Sequence, residues 1–377
     1  MSVVYKKLEE VCEILDSQRV PITAKDRKSG VYPYYGANGL QDHVSDYIFD
    51  DELVLLAEDG GNFGSKDRPI AYRVSGKCWV NNHAHVLKAK SDIHIDYLCY
   101  ALMFYNTDGL VNGATRQKLT QAAMRQMVIP YRCMKEQEQI VDEISRVFHL
   151  IAVRNEELDL LEQLVKSRFI ELFGDPATNP KGWITKPLLD MGYCKNGMNF
   201  HTGDSGIEMH CLGVGDFKDL SVIDGTESLP VISLKEAPPE ESMLRDGDIV
   251  FVRSNGNKAL VGRCLVVYPH NTPTTYSGFC IRYRLTSSEV NTAYLLRVLK
   301  ADSMRKKMTG RGANIQNLNQ QILATLDIPL PPTEQQQQFA AFVEQTDKSK
   351  FFACQTLSFS LKLANNLQSW REKQYDY

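Results

Sequence analysis

His83 and His85 stand two apart in a run that reads as a strand, Cys78 to Leu87. Alternate side chains of a strand share a face, so the two imidazoles point the same way. Paired histidines of this kind are zinc-ligand chemistry, and His94 follows nearby. No third ligand with suitable spacing and no partner His or Cys pair accompanies them, so no metal is expected. Asn81, Asn82 and the two histidines then read as polar groups at a strand end, serving either base edges or turns. The loop before them, Gly60 to Pro69, reads GGNFGSKDRP. It contains neither GxGxxG nor a terminal GK[ST], so it is no dinucleotide fingerprint and no P-loop. Its glycines let the backbone turn and approach a ligand closely. Lys66 and Arg68 make that ligand a negatively charged one.

Independent catalysis finds little support. Adenine methylation needs an Asn/Asp-Pro-Pro-aromatic tetrapeptide, and Asn179-Pro180-Lys181-Gly182 lacks the second proline and the aromatic. Gly213-Val214-Gly215-Asp216 is a lone GxG without a helix pattern behind it. Metal-dependent cleavage would want clustered Asp and Glu-x-Lys on strands, and none is well placed. No Ser/His/Asp or Cys/His arrangement stands out.

The net charge of −3 hides a strong segregation. Met134 to Asp175 carries 5 basic and 10 acidic side chains, whereas Met243 to Gly312 carries 12 basic and 4 acidic. Gly61 to Lys88 holds 5 basic and 1 acidic, and Asn112 to Arg132 holds 4 basic and none acidic. Basic stretches at corresponding places are the footprint of a polyanion partner. The other reading is a solvated surface balanced by acidic neighbours.

"Corresponding" is meant literally, because the elements that carry these stretches occur twice. FDDELVLLAEDG at Phe49 to Gly60 matches LRDGDIVFVRSNG at Leu244 to Gly256 with an offset of about 196. GATRQKL at Gly113 to Leu119 matches GANIQNL at Gly312 to Leu318. Ile129-Pro130 then matches Ile328-Pro329, and Glu136-Gln137 matches Glu334-Gln335, with an offset near 199. Order kept over half the chain means duplication, and the period is too long for a solenoid. The unit is a globular α/β domain followed by a long helix. In the first helix Ile140, Ile144, Val147, Ile151, Leu158, Leu161, Val165 and Leu172 recur every three or four residues, with Arg154 and Arg168 interrupting. Such a seam suits helix pairing over roughly 40 residues, about 60 Å at 1.5 Å each. The second helix has a more polar seam: Phe339, Val343, Thr346, Lys350, Ala353, Leu357, Ala364 and Leu367. Thr333 with Gln336 is read as its capping box. Val3 to Asp16 is read as a short amphipathic helix or the lead-in to the first domain.

A chain of 377 residues with 43% apolar content suggests two or three domains with real cores. No apolar run approaches the ~18 residues of a membrane span. The start, MSVVYKKLEEVCEILD, reads as charged and helical rather than as an export signal. The nine cysteines are scattered with no CxxC, as expected of reduced thiols in cytoplasm.

The central helix, with IVDEISRVFHLI and LVKSRFIELFGD, resembles the specificity subunit of a type I restriction-modification enzyme. The paired lead-ins IPYRCMKEQEQI and IPLPPTEQQQQF and the two GA-loops share in the resemblance, which covers essentially the whole chain. Tyr131-Arg132-Cys133 departs from the usual proline-rich lead-in. The resemblance implies an α+β fold with a pseudo-twofold internal repeat. Two similar α/β target-recognition domains would be separated by two long antiparallel helices, a coiled-coil spacer. The expected boundaries are 1–133 and 179–332 for the recognition domains and 134–178 and 333–377 for the spacer helices.

The function so implied is non-catalytic recognition of a bipartite site in double-stranded DNA, two half-sites with a fixed unread gap. Two methylation subunits would dock on the helices, and two restriction subunits would add ATP-dependent cleavage when present. S-adenosylmethionine, ATP and Mg would be held by those partners, with no cofactor on this chain and no membrane involved. A specificity subunit of another restriction-modification type, or a nucleic-acid-binding scaffold, are the alternatives. The residues chosen for DNA contact come from the matched loops. They are Lys66, Arg68, Asn82, His85, Arg116 and Lys118 in the first domain, and Arg253, Asn255, Lys258, Arg311, Asn314 and Gln316 in the second.

Overall fold

The computed structural model describes residues 4–66, 68–113, 116–200, 206–217, 220–309 and 317–369, with side-chain surroundings of the last helix given to residue 360, residue 359 excepted. Two compact units divide it. One holds residues up to Glu156 together with the last helix from Cys354, the other Glu157–Ala353.

The first unit runs β1 (Val4–Lys7), α1 (Leu8–Val11), β2 (Cys12–Ile14), β3 (Ser29–Gly36), β4 (Gly39–Val44), β5 (Phe49–Ala57), β6 (Ala71–Val80), β7 (Ala84–Ala89), α2 (Ile95–Leu102), β8 (Val111–Asn112), β9 (Lys118–Leu119), α3 (Gln121–Gln126) and β10 (Val128–Tyr131). It leads into the long helix α4 (Met134–Phe173). Its main sheet has the order β2-β7-β5-β6-β3-β4. Leu53 to Ala57 of β5 are all buried, as an apolar run covered on both faces should be. Of the two readings of Val3 to Asp16, the continuous helix gives way to the lead-in: from Val4 on the segment is a strand, a single helical turn and a second strand, followed by a 3-10 turn at Asp16–Gln18. The reason is pairing at both ends: β1 lies antiparallel to β10 and β2 antiparallel to β7.

The second unit repeats the plan. It runs β11 (Ile184–Pro187), β12 (Gly192–Asn196), β13 (Ile207–Leu212), β14 (Val222–Asp224), β15 (Val231–Leu234), β16 (Asp248–Val252), β17 (Cys264–Tyr268), β18 (Thr274–Tyr276), β19 (Cys280–Leu285), α5 (Thr292–Lys300), α6 (Asp302–Thr309), α7 (Gln320–Ala324), β20 (Asp327–Leu330) and the long helix α8 (Thr333–Ser369). Its larger sheet is β12-β19-β16-β17-β14, so the stretch β12-β19-β16-β17 answers β2-β7-β5-β6. The β1–β10 pair is answered by β11–β20, where Thr185 faces Pro329 as Tyr5 faces Pro130. The order β15-β13-β18 is an addition of the second unit. α2 and α5 are capped alike, by the side chains of His94 and Asn291 on the second backbone amide of each helix.

α4 ends at Gly174, whose φ of 76° a non-glycine residue would adopt only under strain. The predicted α4 seam is half-buried to buried throughout. From the seam, Val165 enters the second core and Leu172 packs against it; Phe169 and Phe173, outside the seam, join them there. Phe169 and Phe173 pack on Phe339 of α8 at ring separations of 5.6 and 5.5 Å, and Glu162 bonds Lys350 at 2.6 Å. Ascending α8 therefore meets descending α4, and the helices are antiparallel within this unit. In α8, Phe339, Val343, Thr346 and Ala353 are buried as the seam requires; Ala364 and Leu367 lie outside the described side chains. The capping box at Thr333 is not formed by Gln336, which turns inward and bonds Glu289 and Pro331 instead.

Candidate nucleic-acid interface

In the first unit the strand-end loop after β5 and the loop before α3 are stitched together. The Leu119 amide donates to the Glu58 carbonyl at 2.8 Å, the Gly60 amide to the Gln117 carbonyl at 3.1 Å, and Asp59 bridges Lys118. The His83 carbonyl accepts from the Glu58 and Asp59 amides, which brings the β6–β7 turn into the same cluster. Asn82, Arg116 and Lys118 are thus gathered at one place, all exposed. Lys66 and Arg68 are exposed farther along the β5–β6 loop.

The gathered cations are held by carboxylates. Arg116 pairs with Asp59, and Lys118 reaches Glu58 at 3.2 Å. Both cations keep about half of their side-chain surface in solvent. Only the cation end of each pair is open to solvent, the Asp59 and Glu58 side chains being 21% and 13% exposed.

His85 is corrected. It is fully buried and does not reach the surface. One ring nitrogen lies 2.6 Å from Asp16 Oδ2, the other 2.9 Å from the Leu119 carbonyl, so both hydrogen-bonding positions are used. The run Cys78 to Leu87 is not one strand: β6 ends at Val80 and β7 begins at Ala84, so His83 sits in the turn, while His85 lies within β7, where the segment around Asp16 and Leu119 closes over it. Its role is to hold the loop carrying Lys118. Burial alone would push the Asp16 carboxyl up; hydrogen bonding and charge from His85, with the Gln121 amide and the Val86 backbone, outweigh it and hold the group below the usual carboxylate range. Asp16, Glu58 and His85 come close enough to suggest a metal cluster. The Arg19 guanidinium occupies that role, bonding Glu58 at 2.7 Å and lying 3.4 Å from Asp16.

The second unit builds the equivalent cluster from different residues. The Phe279 carbonyl accepts from the Arg253 and Ser254 amides, the Leu318 amide donates to the Arg253 carbonyl, and Ser254 bridges Asn317. Arg253 stands where the first unit has Glu58 and Phe279 where it has His83. The Arg253 guanidinium donates to the Gly278 carbonyl at 3.3 Å, Asn255 folds back on the Asn257 amide, and Lys258 is exposed. Arg311, Asn314 and Gln316 lie outside the described residues.

Two features escaped sequence reasoning. Phe279 is 61% exposed at the centre of the cluster; a lone phenylalanine after a glycine reads as core. The basic run Met243 to Gly312 is also partly internal. Arg282 is fully buried, Arg284 forms a two-pronged bond to buried Asp248 at 2.8 and 2.7 Å, and Arg297 bonds Glu162.

With this geometry in hand, comparison with known proteins is decisive. The family described as type I restriction modification DNA specificity domain matches residues 2–163 and 242–353, well over half of the chain. The chain belongs to this family. Among individual specificity subunits of type I restriction enzymes, one from Haemophilus influenzae is 39% identical over 137 residues, a match spanning 36% of this chain and 35% of that protein. The StySPI subunit of Salmonella potsdam is 24% identical over 318 residues, 78% of this chain and 67% of the relative. The MjaVIII subunit of Methanocaldococcus jannaschii is 20% identical, with 90% and 85% covered. The crystal structure of the S subunit from M. genitalium superposes with a TM-score of 0.58 at 12% identity, covering 97% of this chain and 95% of that one. At that identity the likeness speaks for the specificity-subunit fold: mixed α/β, two domains and two long helices. Among the described residues no helix is long and apolar enough to cross a membrane.

Proposed function

We propose that this chain is the DNA-recognition subunit of a type I restriction-modification complex and that it reads a bipartite site. The observation that carries the reading is the duplicated loop cluster. In each domain the loop after β5 or β16 is tied to the loop before α3 or α7 through the same backbone bonds, yet the side chains displayed differ. One scaffold with two different surfaces suits two half-sites of different sequence. Exposed Arg, Lys and Asn side chains supply phosphate contacts and base-edge hydrogen bonds. Recognition is non-catalytic. Adenine methylation and ATP-dependent cleavage belong to partner subunits that bring S-adenosylmethionine, ATP and Mg, two methylation subunits docking on the long helices and two restriction subunits joining them, in the cytoplasm.

The test is adenine-methylation mapping in cells expressing this chain with its neighbouring methyltransferase, against cells with the methyltransferase alone. A split motif with a fixed gap, present only with this chain, is expected. Identical methylation with both proteins folded would sink the reading.

A further inference from the structure

The turn before β19 in the second domain corresponds residue by residue to the turn before β7 in the first. Ala57 pairs Ala84 in β5–β7 as Val252 pairs Cys280 in β16–β19. Counting back, Phe279 stands at the place of His83, Gly278 at that of Asn82 and Ser277 at that of Asn81. The hydrogen bonds agree. Asn81 Oδ1 accepts from the His83 amide at 2.8 Å, and Ser277 Oγ accepts from the Phe279 amide at 3.3 Å. The middle position differs: the first domain displays the exposed side chain of Asn82, and the second has a glycine.

The second domain brings an amide to that place from another segment. After β12 the chain runs against the turn. The Met198 amide donates to the Tyr276 carbonyl at 3.0 Å, and the Gly278 amide donates to the Met198 carbonyl at 2.7 Å. The Thr275 hydroxyl reaches Met198 Sδ at 3.7 Å. Next comes Asn199, exposed, with its side chain lying over Gly278. A methyl group on Gly278 would collide with Asn199 Oδ1 and come to 3.1 Å from its Cγ. An asparagine amide therefore fills the place where the first domain's Asn82 side chain begins.

The surroundings correspond as well. Arg253 donates to the Gly278 carbonyl at 3.3 Å, and the Phe279 ring beside it is mostly in solvent. In the first domain Arg116 lies 3.4 Å from His83, the neighbour of Asn82. An exposed amide over a glycine gains little from packing. It does offer a donor and an acceptor side by side, the pattern that matches N7 and the N6 amino group of adenine in the major groove.

We propose that Asn82 and Asn199 are equivalent specificity-determining residues, each reading one adenine, Asn82 in one half-site and Asn199 in the other. This rests on the DNA-recognition reading above. Gly278 is a positioning residue: it leaves the room in which the Asn199 amide lies.

The experiment uses the full chain in complex with its neighbouring methyltransferase, as wild type and as the variants Asn82→Ala, Asn199→Ala and Gly278→Ala, each checked for folding by thermal melting. Methylation mapping of the wild type gives the motif. Fluorescence anisotropy then measures competition by duplexes in which each base pair of that motif is changed in turn. The wild type should prefer adenine by about tenfold or more at one position in each half-site. Asn199→Ala should level that preference in one half-site and leave every other position unchanged, and Asn82→Ala should do so in the other. The Gly278 backbone is outside the left-handed region, so an alanine there displaces the end of the Asn199 side chain rather than the turn. Gly278→Ala should therefore level the same position as Asn199→Ala, and it carries the expectation if Asn199→Ala does not fold. An unchanged preference profile, or an even loss across all positions, in folded variants overturns the proposal and leaves the recognition reading standing. A wild type that yields no split motif overturns the recognition reading, and this proposal with it.

Discussion

Gln137 and Gln336 make the same three hydrogen bonds in the two domains. Gln137 Oε1 accepts from the His94 amide at 2.8 Å, and its Nε2 donates to the carbonyls of Asp92 and Arg132. Gln336 Oε1 accepts from the Asn291 amide at 2.8 Å, and its Nε2 donates to Glu289 and Pro331. Both are fully buried. Each amide ties the first turn of a long helix to the segment leading into the domain's own helix, α2 or α5. Truncation leaves one backbone amide and two carbonyls without their partner, in bonds that are part-buried or buried. Gln137→Ala and Gln336→Ala should each cost about 1–3 kcal/mol in urea unfolding of the domain concerned. A loss below ~0.5 kcal/mol would mean that water replaces the side chain without penalty.

That relationship shows what the sequence made legible. The Ile-Pro lead-ins are visible as a repeat, but the sequence matches Gln137 to Gln335, whereas the structure gives the equivalent hydrogen bonds to Gln336, one residue farther on. Tyr97 and Tyr294 donate to the carbonyls of Pro130 and Pro329, both at 2.8 Å, and the glutamines follow a turn later. Local constraint leaves a local pattern. His85 was misread because its partner Asp16 is 69 residues away, and nothing in a two-residue alternation announces a segment that closes over a strand.

Arg116 is the cation of the first cluster most open to a phosphate. Its guanidinium is bonded to Asp59 and lies 3.4 Å from His83 Nδ1, yet 59% of the side chain is exposed. Arg116→Gln should weaken duplex binding evenly across sequences and lower the salt slope by about one. A selective loss at one base position, with the slope intact, would instead make Arg116 a base reader.

Phe279 holds the position that His83 holds in the first domain, and its ring is mostly in solvent. An apolar ring among polar loop residues suits a thymine methyl or a wedge between base steps. Phe279→Ala should lower affinity for the methylated motif's second half-site by about tenfold, a loss within the range of stacking contacts. The salt slope and melting temperature should stay unchanged. Equal affinity of variant and wild type would remove Phe279 from the interface.

Glu162 links α4 to the second domain and to α8. Burial would raise its pKa, but Arg297 and Lys350 outweigh it and bring the group down to about 2. A carboxyl whose folded value lies below its ordinary 4.5 adds stability above 4.5, and that stability is lost as pH falls toward 2. Its side chain is 47% exposed, so solvent screening reduces the effect to about 1 kcal/mol. Between pH 4.5 and 2 the wild type should therefore lose stability more steeply than Glu162→Gln in urea unfolding. Parallel curves would show that the triad is electrostatically idle.

The reading of α4 and α8 as a ruler has its own test. Both are long, 40 and 37 residues, and within the second unit they run antiparallel with Glu162 against Lys350 and Phe173 against Phe339. In that register residues of α4 and α8 advance in opposite directions by equal steps, so a heptad removed from one requires a heptad removed from the other. Cuts should spare Val165 to Phe173 and Phe339 to Val343, which belong to the domain core. At 1.5 Å per residue the paired deletion shortens the helices by about 10 Å. If they set the distance between half-sites, the gap in the methylated motif shrinks by about three base pairs while both half-site sequences stay the same. Methylation mapping reads both quantities from one sample. An unchanged gap in a folded, active deletion variant would mean that the helices carry the partner subunits but do not measure the DNA.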